Sequence, residues 1–279
     1  MTFEIQAHRG ARSFFPENTL QAFCKAAELG VRVLELDLVV SRDSRIVVSH
    51  DPWLSPPSSC DPLDRQSGDP TPACLTIYEM DYAEVAAFDC GMADSSFPDQ
   101  KRVKACKPLL SEVFAAVEAT MASASMTGRM TYNLEIKSWP ERDGAFHPAP
   151  ERYAQLVVQE VRASGLVDFV RIQSFDDRVV REVWKIERGL SCGILVDEGD
   201  SLDKIETRLD NLGFLPRYVN PHYSLVDRRL AGILHERGAG MIPWTVNRPE
   251  EMLSMKRLGA DGIITDFPEK ALALPELFD

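Results

Sequence analysis

The chain has 279 residues, 44% of them hydrophobic, which is enough for a sizeable core and is an ordinary length for one α/β barrel. Its formal charge is 31 − 43 = −12, which argues against nucleic acid as the main partner, because phosphate backbones are held by many lysines and arginines. One small phosphorylated ligand needs only a local positive site and is not excluded.

Short apolar runs alternate with helical periodicity along the chain. A strand is expected at 4–7, then a helix in which Leu20, Phe23, Cys24 and Ala27 share a face after a Pro-Glu-Asn-Thr start. A strand follows at 32–38 and a second strand-like run at 45–50. Leu110, Val113, Phe114 and Val117 mark the next helix and 131–137 the next strand. Strands at 170–175, 190–196, 217–221, 241–246 and 262–266 then alternate with helical patterns at 151–164, 176–188, 202–211 and 249–258 and with an apolar face of Val226, Leu230, Ile233 and Leu234 ended by Gly238. The strand segments are rich in Val, Ile and Leu, as parallel strands covered on both faces should be.

Only "SRDS" separates the second strand from the run at 45–50. A parallel crossover needs a dozen or more residues, so 38–50 is expected to be a hairpin folding back from strand two. Eight parallel strands remain, the count of a (β/α)8 TIM barrel. Residues 52–107 break the alternation with a stretch dense in Pro, Ser and Asp. They are expected to be an insertion within a single catalytic barrel domain spanning 1–279, leaving from the active face.

The first ten residues, "MTFEIQAHRG", lack a charged leader followed by an apolar run. No stretch reaches the roughly 18 apolar residues of a membrane span. The six cysteines include no C-x-x-C pair. Free thiols and a cytoplasmic protein are therefore expected.

The C-terminal ends of barrel strands build the active face, and here they carry an unusual set of residues. His8 and Arg9 end the first strand; Glu35 and Asp37 lie on the second; His50 and Asp51 end the hairpin; Glu135 and Lys137 lie on the 131–137 strand; Gln173, Asn220 and Trp244 come later. Residues two apart share a face of a strand, so Glu35, Asp37 and Glu135 can converge inside the barrel. Acidic pairs on a strand often simply face solvent, and Lys137 could serve in a plain ion pair. The flanking Leu34, Leu36 and Leu38 make burial the better reading, and buried like charges need a cation among them. All-oxygen ligation suits Mg²⁺ or Ca²⁺. Two histidines beside such a site fit general acid and general base chemistry. Arg9 could bind an oxyanion, pair with Glu17 or Asp37, or do both. In "FPENT", Pro16 fixes a turn, Glu17 favours the start of the helix, and Asn18 is placed to hold a catalytic side chain. Trp244 could pack or seat a small polyol.

The pieces "AHRGARSFFPENTLQAF", "LELDLVVSRDSRIVVSHDP", "NLEIK", "QSF", "PWTVN" and "DGIITDFP", in this order, resemble the glycerophosphodiester phosphodiesterase family over nearly the whole chain. The resemblance implies metal-dependent hydrolysis of deacylated phospholipids to glycerol 3-phosphate and an alcohol. It implies His8 and His50 as the acid/base pair, Glu35, Asp37 and Glu135 as metal ligands, and Arg9 and Lys137 as phosphate-binding groups, with Gln173 and Trp244 on the substrate side. The expected partner is a small-molecule substrate. Two alternatives stay open: a lipid phosphodiesterase of phospholipase type on the same barrel, and a non-catalytic barrel that binds a phosphorylated metabolite.

Overall fold

A computed structural model describes residues 3–54 and 75–279, together with the backbone of 63–64 and 69–70. The remaining parts of the expected insertion, with Cys60 and Cys74, lie outside the described residues.

Eight strands form one parallel sheet: β1 Glu4–His8, β2 Val33–Val40, β4 Thr131–Ile136, β5 Val170–Ser174, β6 Ser191–Val196, β7 Tyr218–Pro221, β8 Gly240–Met241 and β9 Gly262–Thr265. From β1 to β8 each pairs with the next in this order, and β9 pairs with β1. The hairpin strand β3, Ile46–Val48, runs antiparallel to β2 with Leu38 opposite Val48 and Val40 opposite Ile46. Helices follow the strands: α1 Leu20–Glu28, α2 Leu110–Ser123, α3 Pro150–Ser164, α4 Asp177–Ile186, α5 Leu202–Asn211, α6 Arg228–Glu236, α7 Pro249–Leu258 and α8 Pro268–Leu272. This is the expected (β/α)8 barrel.

The 241–246 segment departs from the expectation. It is regular only at Gly240–Met241, because Pro243 has no N–H to give to β9. Three hydrogen bonds close the seam instead: Asp261 N to Met241 O, Ile264 N to Pro243 O, and Val246 N to Ile264 O, at 2.8–2.9 Å. On the other side Ile242 and Trp244 still donate to Val219 and Pro221 of β7.

Alternation along β2 sorts the side chains. Leu34, Leu36 and Leu38 are fully buried in the layer between sheet and helices, with Phe23, Val113 and Val117. Glu35 and Asp37 therefore face the barrel axis, buried among polar groups. Truncating Leu36 to Ala should cost about 2–5 kcal/mol through lost burial and a residual cavity. The check is a lower denaturant midpoint with an unchanged slope.

The floor of the barrel is polar as well. Arg171 gives two hydrogen bonds to Glu4, Gln6 donates to Glu4, and Asn133 donates to Gln6. These four side chains thus satisfy one another's hydrogen bonds.

The described part of 52–107 packs on the hairpin. Val39, Val47, Leu54, Ile77, Val85 and Leu109 form a separate apolar cluster, and Val48 N donates to Pro108 O. Farther along, Gln100 donates to Arg12 O, Lys101 N donates to Phe14 O, and Phe97 lies against Phe267. The segment is thereby laid along the loops that follow β1 and β9.

Candidate active site

The site begins with the turn after β1. Arg9 (φ 56°) and Gly10 (φ 88°) both take left-handed backbone. A Cβ on Gly10 would meet the backbone of Ala22 at 2.7 Å, so only glycine lets the chain turn this close to α1. Asn18, also left-handed (φ 55°), returns its N–H to Arg9 O. Thr19 caps α1 by accepting from Ala22 N. The helix therefore starts at Leu20, and Glu17 lies before it rather than on its first turn. Glu17 instead reaches back to Arg9 Nη1 at 3.0 Å and Arg12 Nη2 at 2.7 Å. Burial alone would raise its pKa, but Arg9 and Arg12 outweigh this and hold it below the usual carboxylate range.

The parallel register brings the acidic residues together: His8 stands beside Glu35, Asp37 beside Glu135, and Glu135 beside Gln173. Glu35, Asp37 and Glu135 each offer an oxygen within 4.8 Å of the others, and all three are buried. Two cations are threaded among them. Lys137 Nζ lies 2.7 Å from Glu135 Oε1 and 2.9 Å from Asp37 Oδ1, and Arg9 Nε lies 3.2 Å from Asp37 Oδ2. Asn18 donates to the same Asp37 Oδ2 at 2.8 Å, the holding role its position suggested.

These charges do not balance. Burial pushes against Asp37 too, yet Lys137 and Arg9 keep its pKa well below the ordinary value. Burial, then the charges of Asp37 and Glu135, drive the Glu35 pKa up, and burial raises Glu135 to about 6. Glu35 has only neutral donors, Gln173 Nε2 at 3.1 Å and Arg9 N at 3.2 Å. Asp37 Oδ1, although close to Lys137, makes no directed hydrogen bond. A carboxylate without a counter-charge and an oxygen without a donor fit a divalent cation, which would share Asp37 and Glu135 with Lys137.

The two histidines border the same space. His8 Nδ1 lies 2.6 Å from Asp266 Oδ1, with its Nε2 4.0 Å from Glu35 Oε2. His50 Nδ1 lies 2.8 Å from Asp51 Oδ1. Burial and then Arg9 pull His8 below its ordinary 6.5. The enclosing cleft walls, then Arg9 and Lys137, do the same to His50.

Together these groups line a cleft of about 150 Å³, shared with Phe175, Leu195, Trp244 and Ile264. The structure thus brings His8, Arg9, Glu35, His50, Glu135, Lys137, Gln173 and Trp244 to one cavity, with Asp37 just beneath. Gln173 is committed on both ends: it donates to Glu35 and accepts from Asn220. Trp244 spends its indole N–H on Asn220 O at 2.9 Å and meets Phe175 edge-on, leaving ring surface to the cleft. Sequence reasoning missed Asp266, Arg12 and Phe175. Asp266 directly follows the last strand, so the strand-end rule that found the other groups could have found it.

Comparison with known proteins agrees with this geometry. The sequence profile of the Glycerophosphoryl diester phosphodiesterase family matches residues 8–270. The chain is 28% identical over 270 residues to a glycerophosphodiester phosphodiesterase of Caldanaerobacter subterraneus, covering 97% of this chain and 96% of that one. Among solved structures, a Silicibacter pomeroyi protein named for glycerophosphoryl diester phosphodiesterase activity superposes with a TM-score of 0.82 at 29% identity, covering 99% and 93% of the two chains. An Oleispira antarctica phosphodiesterase solved with its product sn-glycerol-3-phosphate has the same fold (TM-score 0.76, 22% identity, 98% and 96% covered).

Proposed function

The chain belongs to the glycerophosphoryl diester phosphodiesterase family, a phosphoric diester hydrolase of glycerophosphodiesters, and from that premise we propose how its own residues carry the reaction. The observation behind the proposal is the clustering of two histidines, three carboxylates and two cations around one cleft. Arg9 and Lys137 draw the phosphodiester in and orient its non-bridging oxygens. One histidine takes the proton of the attacking hydroxyl, either the neighbouring glycerol hydroxyl or a water. The other gives a proton to the departing alcohol as its P–O bond breaks. The ring of Trp244 seats the glycerol, and Gln173 holds Glu35 in place at the edge of the phosphate space. A divalent cation, Mg²⁺ or Ca²⁺, held by Glu35, Asp37 and Glu135 supplies Lewis-acid stabilisation of phosphoryl charge when bound.

Residues 52–107 belong, in the same proposal, to a single catalytic domain as an insertion beside the substrate entrance. Their described part contacts the loops after β1 and β9. No helix among the described residues is long and apolar enough to cross a membrane. We place the protein in the cytoplasm, in keeping with free thiols at Cys24, Cys90, Cys106 and Cys192.

Release of glycerol 3-phosphate is expected from glycerophosphocholine and glycerophosphoethanolamine, to be lost with chelator and restored by Mg²⁺ or Ca²⁺. Turnover of lysophosphatidylcholine alone would favour a lipid phosphodiesterase instead. No turnover of either would favour the metabolite-binding barrel.

A further inference from the structure

The hydrogen bonds at the end of β9 reach one of the two histidines. Asp266 is 6% exposed, and both of its carboxylate oxygens are engaged. Oδ1 meets His8 Nδ1 at 2.6 Å, with Arg12 Nη1 at 3.5 Å. Oδ2 accepts from Asn247 Nδ2 at 2.8 Å. The orientation of the Asn247 amide is itself dictated. Its Oδ1 accepts from Asp266 N at 3.0 Å and from Thr265 Oγ1 at 3.3 Å, and a backbone N–H can only donate. Asn247 Nδ2 must therefore point at the Asp266 side chain.

Taking the cleft as the phosphodiesterase site proposed above, we propose that Asp266 is a positioning residue for His8, and that Asn247 sets the orientation of Asp266. A carboxylate only accepts, so His8 must carry its proton on Nδ1 and present an unprotonated Nε2 to the cleft. His50 has a looser counterpart. Its partner Asp51 is about a third exposed, and the His50 side chain is 37% exposed. Only His8 has a partner that is buried and itself braced by a second side chain.

The network makes an unusual demand on an isosteric change. In Asp266→Asn, Asn247 Nδ2 still needs an oxygen, and its 2.8 Å bond outweighs the 3.5 Å contact of Arg12 on the His8 side. The new amide would turn its oxygen to Asn247 and its NH₂ to His8 Nδ1. The histidine would then switch to the Nε2–H tautomer, with a donor where the unaltered protein presents an acceptor to the cleft. In the double variant Asp266→Asn/Asn247→Asp, residue 247 accepts at both oxygens, so the amide turns back and the Nδ1–H tautomer returns.

The test combines the ¹⁵N spectrum of histidine-labelled full-length protein with kinetics on glycerophosphocholine and Mg²⁺. Signals of His8 are identified by their loss in His8→Ala. We expect Nδ1–H at His8 in the unaltered protein and Nε2–H in Asp266→Asn. The kinetic counterpart is a kcat loss of about 100-fold or more at near-constant KM. The double variant should regain the tautomer and at least about tenfold in kcat. An Nε2–H tautomer in the unaltered protein would overturn the proposal without any variant having to fold. So would an Asp266→Asn variant that keeps either its turnover or its Nδ1–H tautomer, or a double variant that recovers neither. If the unaltered protein cleaved no glycerophosphodiester, the reading of the cleft would fail while the tautomer result still stood on its own.

Discussion

Alanine at His8 or at His50 is expected to lower kcat by about 10²–10⁴-fold with little change in KM. Both rings have one nitrogen tied to a carboxylate, Asp266 or Asp51, and both line the cleft. A loss confined to kcat is what removal of a proton-transfer group produces, because such a group acts on the transition state more than on the bound substrate. Phosphate binding would persist through Arg9 and Lys137. Their charges are held by Glu17, Asp37 and Glu135 and do not depend on either histidine. Steady-state kinetics on glycerophosphocholine, with melting curves to confirm folding, decide the matter. Near wild-type turnover in either variant would remove that histidine from the mechanism.

The acidic cluster supports a second large effect, in which two similar substitutions act in opposite directions. Asp37 is the shared counter-charge of Arg9 and Lys137, so Asp37→Asn leaves buried cations short of a partner and should destabilise the metal-free protein by about 3–5 kcal/mol. Glu35 is different. Its folded pKa is raised, so its ionised form works against folding, and that penalty grows as pH rises above the ordinary glutamate value. Glu35→Gln should therefore leave the metal-free protein at least as stable as the parent at neutral pH. The advantage should vanish in acid, where both carboxyls are protonated. Both variants should bind Mg²⁺ or Ca²⁺ at least about 100-fold more weakly, since loss of groups that merely support a ligand already costs 10–100-fold. Denaturant titrations without metal and thermal shifts with it separate the two effects. A Glu35→Gln protein that is less stable at neutral pH yet still gains stability from the ions would contradict this charge assignment.

The barrel was readable because its signals are local. Leu34, Leu36 and Leu38 around Glu35 and Asp37 already said that a buried strand carries charge. The five residues between β2 and β3 left only a hairpin. Convergence of Glu35, Asp37 and Glu135 follows from adjacent parallel strands in register, so it too was legible. What escaped depends on where the chain returns in space. Glu17 reads as an acid at a helix start, but left-handed turns at Arg9 and Asn18 bring it back to Arg9 and Arg12. Asp266 is 258 residues from the histidine it holds. The hydrogen bonds that seal the barrel around Pro243 likewise depend on β9, which no local pattern in 241–246 reveals.

The central claim is that one cleft holds a divalent cation on three carboxylates beside a phosphate on Arg9 and Lys137. A crystal structure of the protein with Mn²⁺, as an anomalously scattering stand-in for the native ion, and sn-glycerol 3-phosphate tests it most directly. The account predicts an anomalous peak bound by Glu35, Asp37 and Glu135, with the phosphate between Arg9, Lys137 and the two histidines and the glycerol against Trp244. A metal bound elsewhere, or a phosphate held away from His8 and His50, would contradict it.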